Sequence, residues 1–134
     1  MTLQLTPWQA PPSRPQLTAG AVYLWRFPLD CKDSLEHLLN EEELQRARRL
    51  LIPDKARDFV VARARLRLIL ASYLDLAPES IRFNYGPSGK PALDDSLAES
   101  LAFNLSHSGG WGLCAVTRGV AVGVDIERLD RKVD

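Results

Sequence analysis

At Pro78 the spacing of the apolar residues changes from helical to strand-like, and that change constrains the fold more than any other feature. Between Pro53 and Pro78, Phe59, Ala62, Leu66, Ile69, Leu70 and Tyr73 recur at helical spacing. They define one face of a helix expected over about residues 55 to 74, with Asp54 placed to cap it. After Pro78 the period falls to two. Ile81, Phe83 and Tyr85 alternate with Arg82 and Asn84, as in a half-buried strand. Gly86 to Pro91 reads as a turn, and Asp94 to Ser100 as a polar loop. Three strand-like runs follow: Leu101 to Leu105, Trp111 to Thr117 and Val120 to Ile126. Arg118-Gly119 marks a tight hairpin between the last two.

Upstream, Ala21 to Phe27 reads as a first strand. Asn40 with Glu43 opens a shorter helix through a capping box. Glu41 to Glu43 lie at the positive end of that helix, and Arg46, Arg48 and Arg49 lie toward its negative end. The expected fold class is α+β, with helices packed on a mainly antiparallel sheet. Residues 1–20 stand apart as a proline-rich arm (Pro7, Pro11, Pro12, Pro15) in which Trp8 is a docking point. Residues 21–134 form the domain, with no internal repeat.

A chain of 134 residues, 46% hydrophobic, buries one core of ordinary size. Its 17 basic and 17 acidic residues cancel, so no whole-chain field favours nucleic acid or an anionic membrane. No signal-peptide pattern opens the chain, and no run approaches the roughly 20 apolar residues of a membrane span. Cys31 and Cys114 have no metal-type spacing and read as thiols of a reducing compartment. The expectation is a soluble cytoplasmic protein without a nucleic-acid or membrane partner.

Three blocks carry candidate chemistry. On the last strand Val120, Val122, Val124 and Ile126 point to the core, so Asp125 and Glu127 share the other face, roughly 6.5–7 Å apart along the backbone. Two like charges so placed repel unless a cation lies between them, and Mg²⁺ takes such carboxylates together with phosphate oxygens. The alternative is a solvated strand end in which Glu127 pairs with Arg128 or Arg131. Ser106-His107-Ser108-Gly109-Gly110 follows a strand and combines hydroxyl, imidazole and glycine-rich backbone, a set able to hold an anion. A lone histidine in a turn is also an ordinary hydrogen-bonder. Neither a Gly-x-Ser-x-Gly elbow nor a third orienting group accompanies the Ser-His pair, so a serine hydrolase is disfavoured.

Gly89-Lys90-Pro91 is too short for a P-loop, yet Lys90 can serve as a fixed positive charge; a plain surface lysine is the alternative. Arg63 falls inside the apolar stripe of the long helix. It either snorkels to the edge of the core or reaches an anion at the helix flank.

Taken in order, Gly-Lys-Pro, Phe103-Asn-Leu-Ser-His-Ser108 and Gly123-Val-Asp-Ile-Glu127 resemble the larger, Sfp-type 4′-phosphopantetheinyl transferases. The helical stretch Arg57 to Leu70, with Arg63 and Arg67, is similar to the helix that precedes these motifs in that family. The resemblance runs from about Ala21 to Arg128. It implies one half of a pseudo-twofold α+β fold, with coenzyme A and Mg²⁺ in the cleft between halves. It implies transfer of the phosphopantetheine arm of coenzyme A to a serine of an acyl or peptidyl carrier protein, releasing adenosine 3′,5′-bisphosphate. Carried over by position, Asp125 and Glu127 would hold Mg²⁺ (or Mn²⁺, which oxygen ligands also suit) and, with His107, form the catalytic set. Lys90, Ser106 and His107 would hold phosphates and the adenosine end of coenzyme A, with Arg46 and Arg63 as looser matches.

The family's second half carries a Trp-x-x-Lys-Glu motif. Here Trp8, Trp25 and Trp111 are followed by other residues, and no Lys-Glu dipeptide occurs. The chain is therefore expected to be an N-terminal half, incomplete as a catalyst by itself. The alternative is a stand-alone coenzyme A or nucleotide-binding module. Marginal stability is also expected, with dimerisation through apolar surface near Asp125 and His107.

Overall fold

The computed structural model describes Trp8, Ala10, residues 15–98 and residues 101–118. Strand β1 (Val22–Pro28) leads through a 3₁₀ turn at Glu36–Leu38 to helices α1 (Glu41–Arg48) and α2 (Pro53–Leu74). A second 3₁₀ turn, Pro78–Ser80, precedes the hairpin of β2 (Phe83–Tyr85) and β3 (Pro91–Leu93). A one-turn helix, α3 (Asp95–Ala98), and strands β4 (Ala102–Ser108) and β5 (Trp111–Thr117) complete the described elements. The fold is α+β, as the change of period predicts.

The main sheet has the order β1-β5-β4, antiparallel throughout, so the first strand lies against the last described one. β2 and β3 pair separately. In register, Phe27 faces Gly112 and His107 faces Gly112 from the other side, while Trp25 and Leu105 flank Cys114. Alternation puts Trp25, Phe27, Phe103, Leu105, Cys114 and Val116 on one face. That face packs on Ala62, Leu66, Ile69 and Leu70 of α2, forming the main core. A smaller cluster, Leu38, Leu39 and Ala64, fills the other side of α2 toward α1.

Local chemistry explains the boundaries. The capping box of α1 forms as expected: the Asn40 side chain accepts from the Glu43 N–H, and Glu43 Oε1 accepts from the Asn40 N–H, both at 2.9 Å. α2 begins two residues earlier than expected. Pro53 occupies its first position, where a missing N–H costs nothing, and Ile52 precedes it without a side-chain cap. Asp54 is therefore inside the first turn, paired with Arg57 on the surface. α2 ends at Asp75, whose left-handed φ of 55° closes the last turn.

β4 runs farther than the sequence suggests, through Ser108, because its pairing with β5 continues to Trp111. Ser106 to Ser108 are strand residues, and only Gly109-Gly110 forms the turn. Both glycines have positive φ, 61° and 83°, as a two-residue hairpin turn requires. The loop expected at Asp94 to Ser100 contains α3. Trp8 lies over Arg26, with the guanidinium 4.9 Å from its ring centroid and 5.7 Å from that of Trp111. The expected strand Val120 to Ile126 and the hairpin at Gly119 lie outside the described residues.

Candidate functional site

Arg63, Lys90 and His107 are far apart in sequence and meet at one cavity of about 220 Å³. α2 supplies Phe59, Ala62 and Arg63; the start of β3 supplies Lys90 and Pro91; β4 supplies Phe103, Leu105 and His107. His107 reaches it because it shares the α2-facing side of β4 with Phe103 and Leu105. Lys90 reaches it because the Gly86 to Lys90 turn folds back on itself. There Gly86 N–H donates to Lys90 O at 3.2 Å and Gly89 N–H donates to Gly86 O at 2.9 Å. Gly89 has φ 79°, and the position of an added Cβ would lie 3.1 Å from Arg46 Nη2. A side chain at residue 89 would crowd Arg46 as well as strain the positive φ.

Arg63 is buried, and neither sequence reading of it is complete. Its Nη1 donates to Glu43 Oε2 at 3.1 Å and to the Tyr85 hydroxyl at 2.7 Å. The guanidinium also lies against the rings of Phe59, 5.1 Å away, and Phe83, 5.4 Å away. One turn along α2, Arg67 is fully buried. Its Nε donates to Glu43 Oε1 at 2.9 Å, and its Nη1 donates to the carbonyls of Pro78 and Ile81, both at 2.9 Å. Arg67 Nη2 lies 2.7 Å from Glu43 Oε1, close as an ion pair but not aligned as a hydrogen bond. Glu43, itself fully buried, is the shared carboxylate of both arginines.

Arg46 does not line the cavity but joins the same array, its guanidinium 4.8 Å from the Tyr85 ring centroid. Tyr85 is thus held between two cations, one at its hydroxyl and one at its face. Ser106 does not line the cavity either. Alternation turns it to the opposite side of β4 from His107, so the two do not form a Ser-His pair. Asp125 and Glu127, the expected metal ligands, lie outside the described residues. Among the described residues, no group of three or more His, Cys, Asp or Glu side chains could hold a metal ion.

Chemically, the cavity combines a buried guanidinium, an ammonium and an imidazole with an apolar lining. Such a set holds a phosphate or a pyrophosphate, and its apolar walls accept the body of an organic phosphoester. The sequence reading missed Glu43 and Tyr85 as parts of this site. A signal was present: Arg63 and Arg67, four apart in an apolar stripe, require a buried carboxylate nearby. Glu43 could not be identified as that carboxylate because its capping-box role already accounts for it.

A family model described as "4′-phosphopantetheinyl transferase, N-terminal" matches residues 25–118. The chain is 42% identical over 127 residues to the 4′-phosphopantetheinyl transferase HetI of Nostoc, a match covering 91% of this chain and 54% of that protein. It is 31% identical over 98 residues to a 4′-phosphopantetheinyl transferase of Bacillus subtilis, covering 73% of this chain and 42% of that protein. A phosphopantetheinyl transferase of Thraustochytrium is 28% identical over 121 residues, 90% of this chain and 42% of its own length. The chain thus spans about half the length, or less, of these curated relatives.

Proposed function

The chain belongs to the 4′-phosphopantetheinyl transferase family, and from that premise we propose that it forms the coenzyme A-binding half of such an enzyme. In the reaction a carrier-protein serine Oγ forms a bond to the β-phosphorus of coenzyme A. The bond from that phosphorus to the bridging oxygen breaks, adenosine 3′,5′-bisphosphate leaves, and the serine proton passes to a base. The observation that supports this reading is the meeting of Arg63, Lys90 and His107 at one cavity beside an apolar wall.

Within it, Lys90 and His107 hold phosphate oxygens, and Arg63 supplies a fixed positive charge at the back of the site. Arg46 adds to the positive field from the flank, and Ser106, which does not line this cavity, would meet the ligand only beyond it, on the other side of β4. Asp125 and Glu127 are proposed to hold Mg²⁺, with Mn²⁺ as the other metal that oxygen ligands accept. When bound, that ion would neutralise charge on the pyrophosphate. The partners are coenzyme A and an apo acyl or peptidyl carrier protein, in a cytoplasmic setting. No helix among the described residues is long and apolar enough to cross a membrane. Self-association through the surface that would meet a second half belongs to the same reading, and sedimentation velocity tests it.

The test is the intact mass of an apo carrier protein after incubation with coenzyme A and Mg²⁺. The expected result is a phosphopantetheine-sized gain with a chain extended through a Trp-x-x-Lys-Glu half, lost on Asp125→Ala, and no gain with this chain alone. Retained activity in Asp125→Ala would remove the metal role. Binding of coenzyme A without turnover in either form would favour the stand-alone binding module instead.

A further inference from the structure

Two arginines share one carboxylate inside this protein, and they use it differently. Arg67 is turned inward: its described contacts join α2 to Glu43 and to the backbone of the 78–81 turn. Arg63 faces the cavity, and all of its described hydrogen bonds use Nη1 alone, one to Glu43 and one to Tyr85. Both anchors therefore grip the same corner of the guanidinium. A planar group fixed at one corner by two bonds has its orientation set, because rotation about its stem would break both. The rings of Phe59 and Phe83 lie against the guanidinium.

The anchors come from elements that also carry other parts of the site. Glu43 opens α1, the helix that ends near Arg46. Tyr85 ends β2, next to the turn that carries Lys90. One carboxylate between two guanidinium groups leaves an excess of one positive charge in the interior. Arg63 is the member of the pair that lies where an anion can meet that excess.

We propose that Glu43 and Tyr85 are positioning residues that aim Arg63 at the anionic ligand of the cavity. The inference rests on the coenzyme A reading above. It makes a prediction whose direction opposes simple electrostatics. Glu43→Gln keeps the side-chain length and the capping box while removing a negative charge. Through-space electrostatics alone would tighten anion binding. If Glu43 acts by holding Arg63, the substitution instead weakens binding.

Calorimetric titration of coenzyme A into the chain reads this directly, with thermal unfolding recorded in the same buffer. Glu43→Gln should weaken binding about tenfold, and Tyr85→Phe about fivefold, the range of one ordinary lost hydrogen bond. In an Arg63→Met background Tyr85→Phe should cause no further loss, because its effect passes through Arg63. Equal losses from Tyr85→Phe in both backgrounds would overturn the proposal, as would unchanged or tighter binding by folded Glu43→Gln. If Glu43→Gln does not fold, the Tyr85–Arg63 cycle decides alone, since removing one hydroxyl leaves the core intact. A wild-type chain that folds but binds no coenzyme A overturns both this proposal and the reading of the cavity. Binding by wild type with no response in the variants overturns only this one.

Discussion

α2 packs on two neighbours, α1 on one side and the β1-β5-β4 sheet on the other, and the two contacts use opposite chemistry. Toward α1 the decisive contacts are ionic: Glu43 between Arg63 and Arg67, with Tyr85 completing the set. Toward the sheet they are steric: Phe27 lies across Gly112, and Cys114 and Val116 pack without any exposure. Volume complementarity excludes water but fixes direction weakly. Charged hydrogen bonds fix direction at the cost of desolvation, so losing one partner strands the others. The cavity lies where the two chemistries meet, with the ionic side supplying Arg63 and the steric side supplying His107.

The largest effect should come from breaking the ionic side. Glu43→Ala leaves two guanidinium groups buried against Phe59 and Phe83 without their carboxylate and also removes the Glu43 side-chain half of the α1 capping box. Loss of one partner of a buried ion pair typically costs about 3–5 kcal/mol. The midpoint of urea unfolding should fall accordingly, with little of the chain folded at 37 °C. A loss below about 1 kcal/mol, the range of an exposed ion pair, would erase the distinction between the two sides.

The steric side should yield less, and it should be repairable. A Cβ on Gly112 would overlap the ring of Phe27, which is itself buried. Overpacking of this kind costs about 1–3 kcal/mol. Phe27→Leu, made together with Gly112→Ala, should recover part of the loss, because the conflict concerns volume. The double-mutant cycle checks this: the pair should be less destabilised than the sum of the singles. No such repair by size is available to Glu43→Ala, since the defect there is an unpaired charge.

What could be read from sequence follows the same division. The steric elements announce themselves by period: α2, β1 and β5 match their expected spans closely, because each buries one face of a regular element. Their boundaries were less legible where pairing overrides propensity, as in β4, whose partner strand carries it through His107 to Ser108. That shift has a consequence for the site, since it turns a glycine-rich bend into strand and separates Ser106 from His107. The ionic elements left fainter traces. Arg63 stood out as a charge in an apolar stripe, but its partners lie 20 and 22 residues away on other elements. Pairing of this kind is set by tertiary geometry, and no local period encodes it. The Gly-Lys-Pro and Ser-His blocks were legible as motifs, and Lys90 and His107 do meet; Asp125 and Glu127 lie outside the described residues.

The smallest effect concerns how each side treats a new charge. The ionic side holds three charged groups in its interior. The apolar side resists even one: burial pushes the Cys114 thiol up from 9.0 to about 12. Above pH 9.0 the unfolded chain releases that proton while the native state keeps it, so the unfolded state binds fewer protons and stability falls as pH rises. The contribution is complete below pH 9.0 and is lost progressively as the pH climbs toward about 12. By pH 9.5 the loss should be on the order of 1 kcal/mol by linkage. Cys114→Ala lowers stability at every pH by opening a cavity, but it should remove this share of the alkaline decline. Urea unfolding at pH 8.0 and 9.5 on both proteins reads the difference. Equal declines would mean that Cys114 ionises in the native state, and that the sheet face admits charge after all.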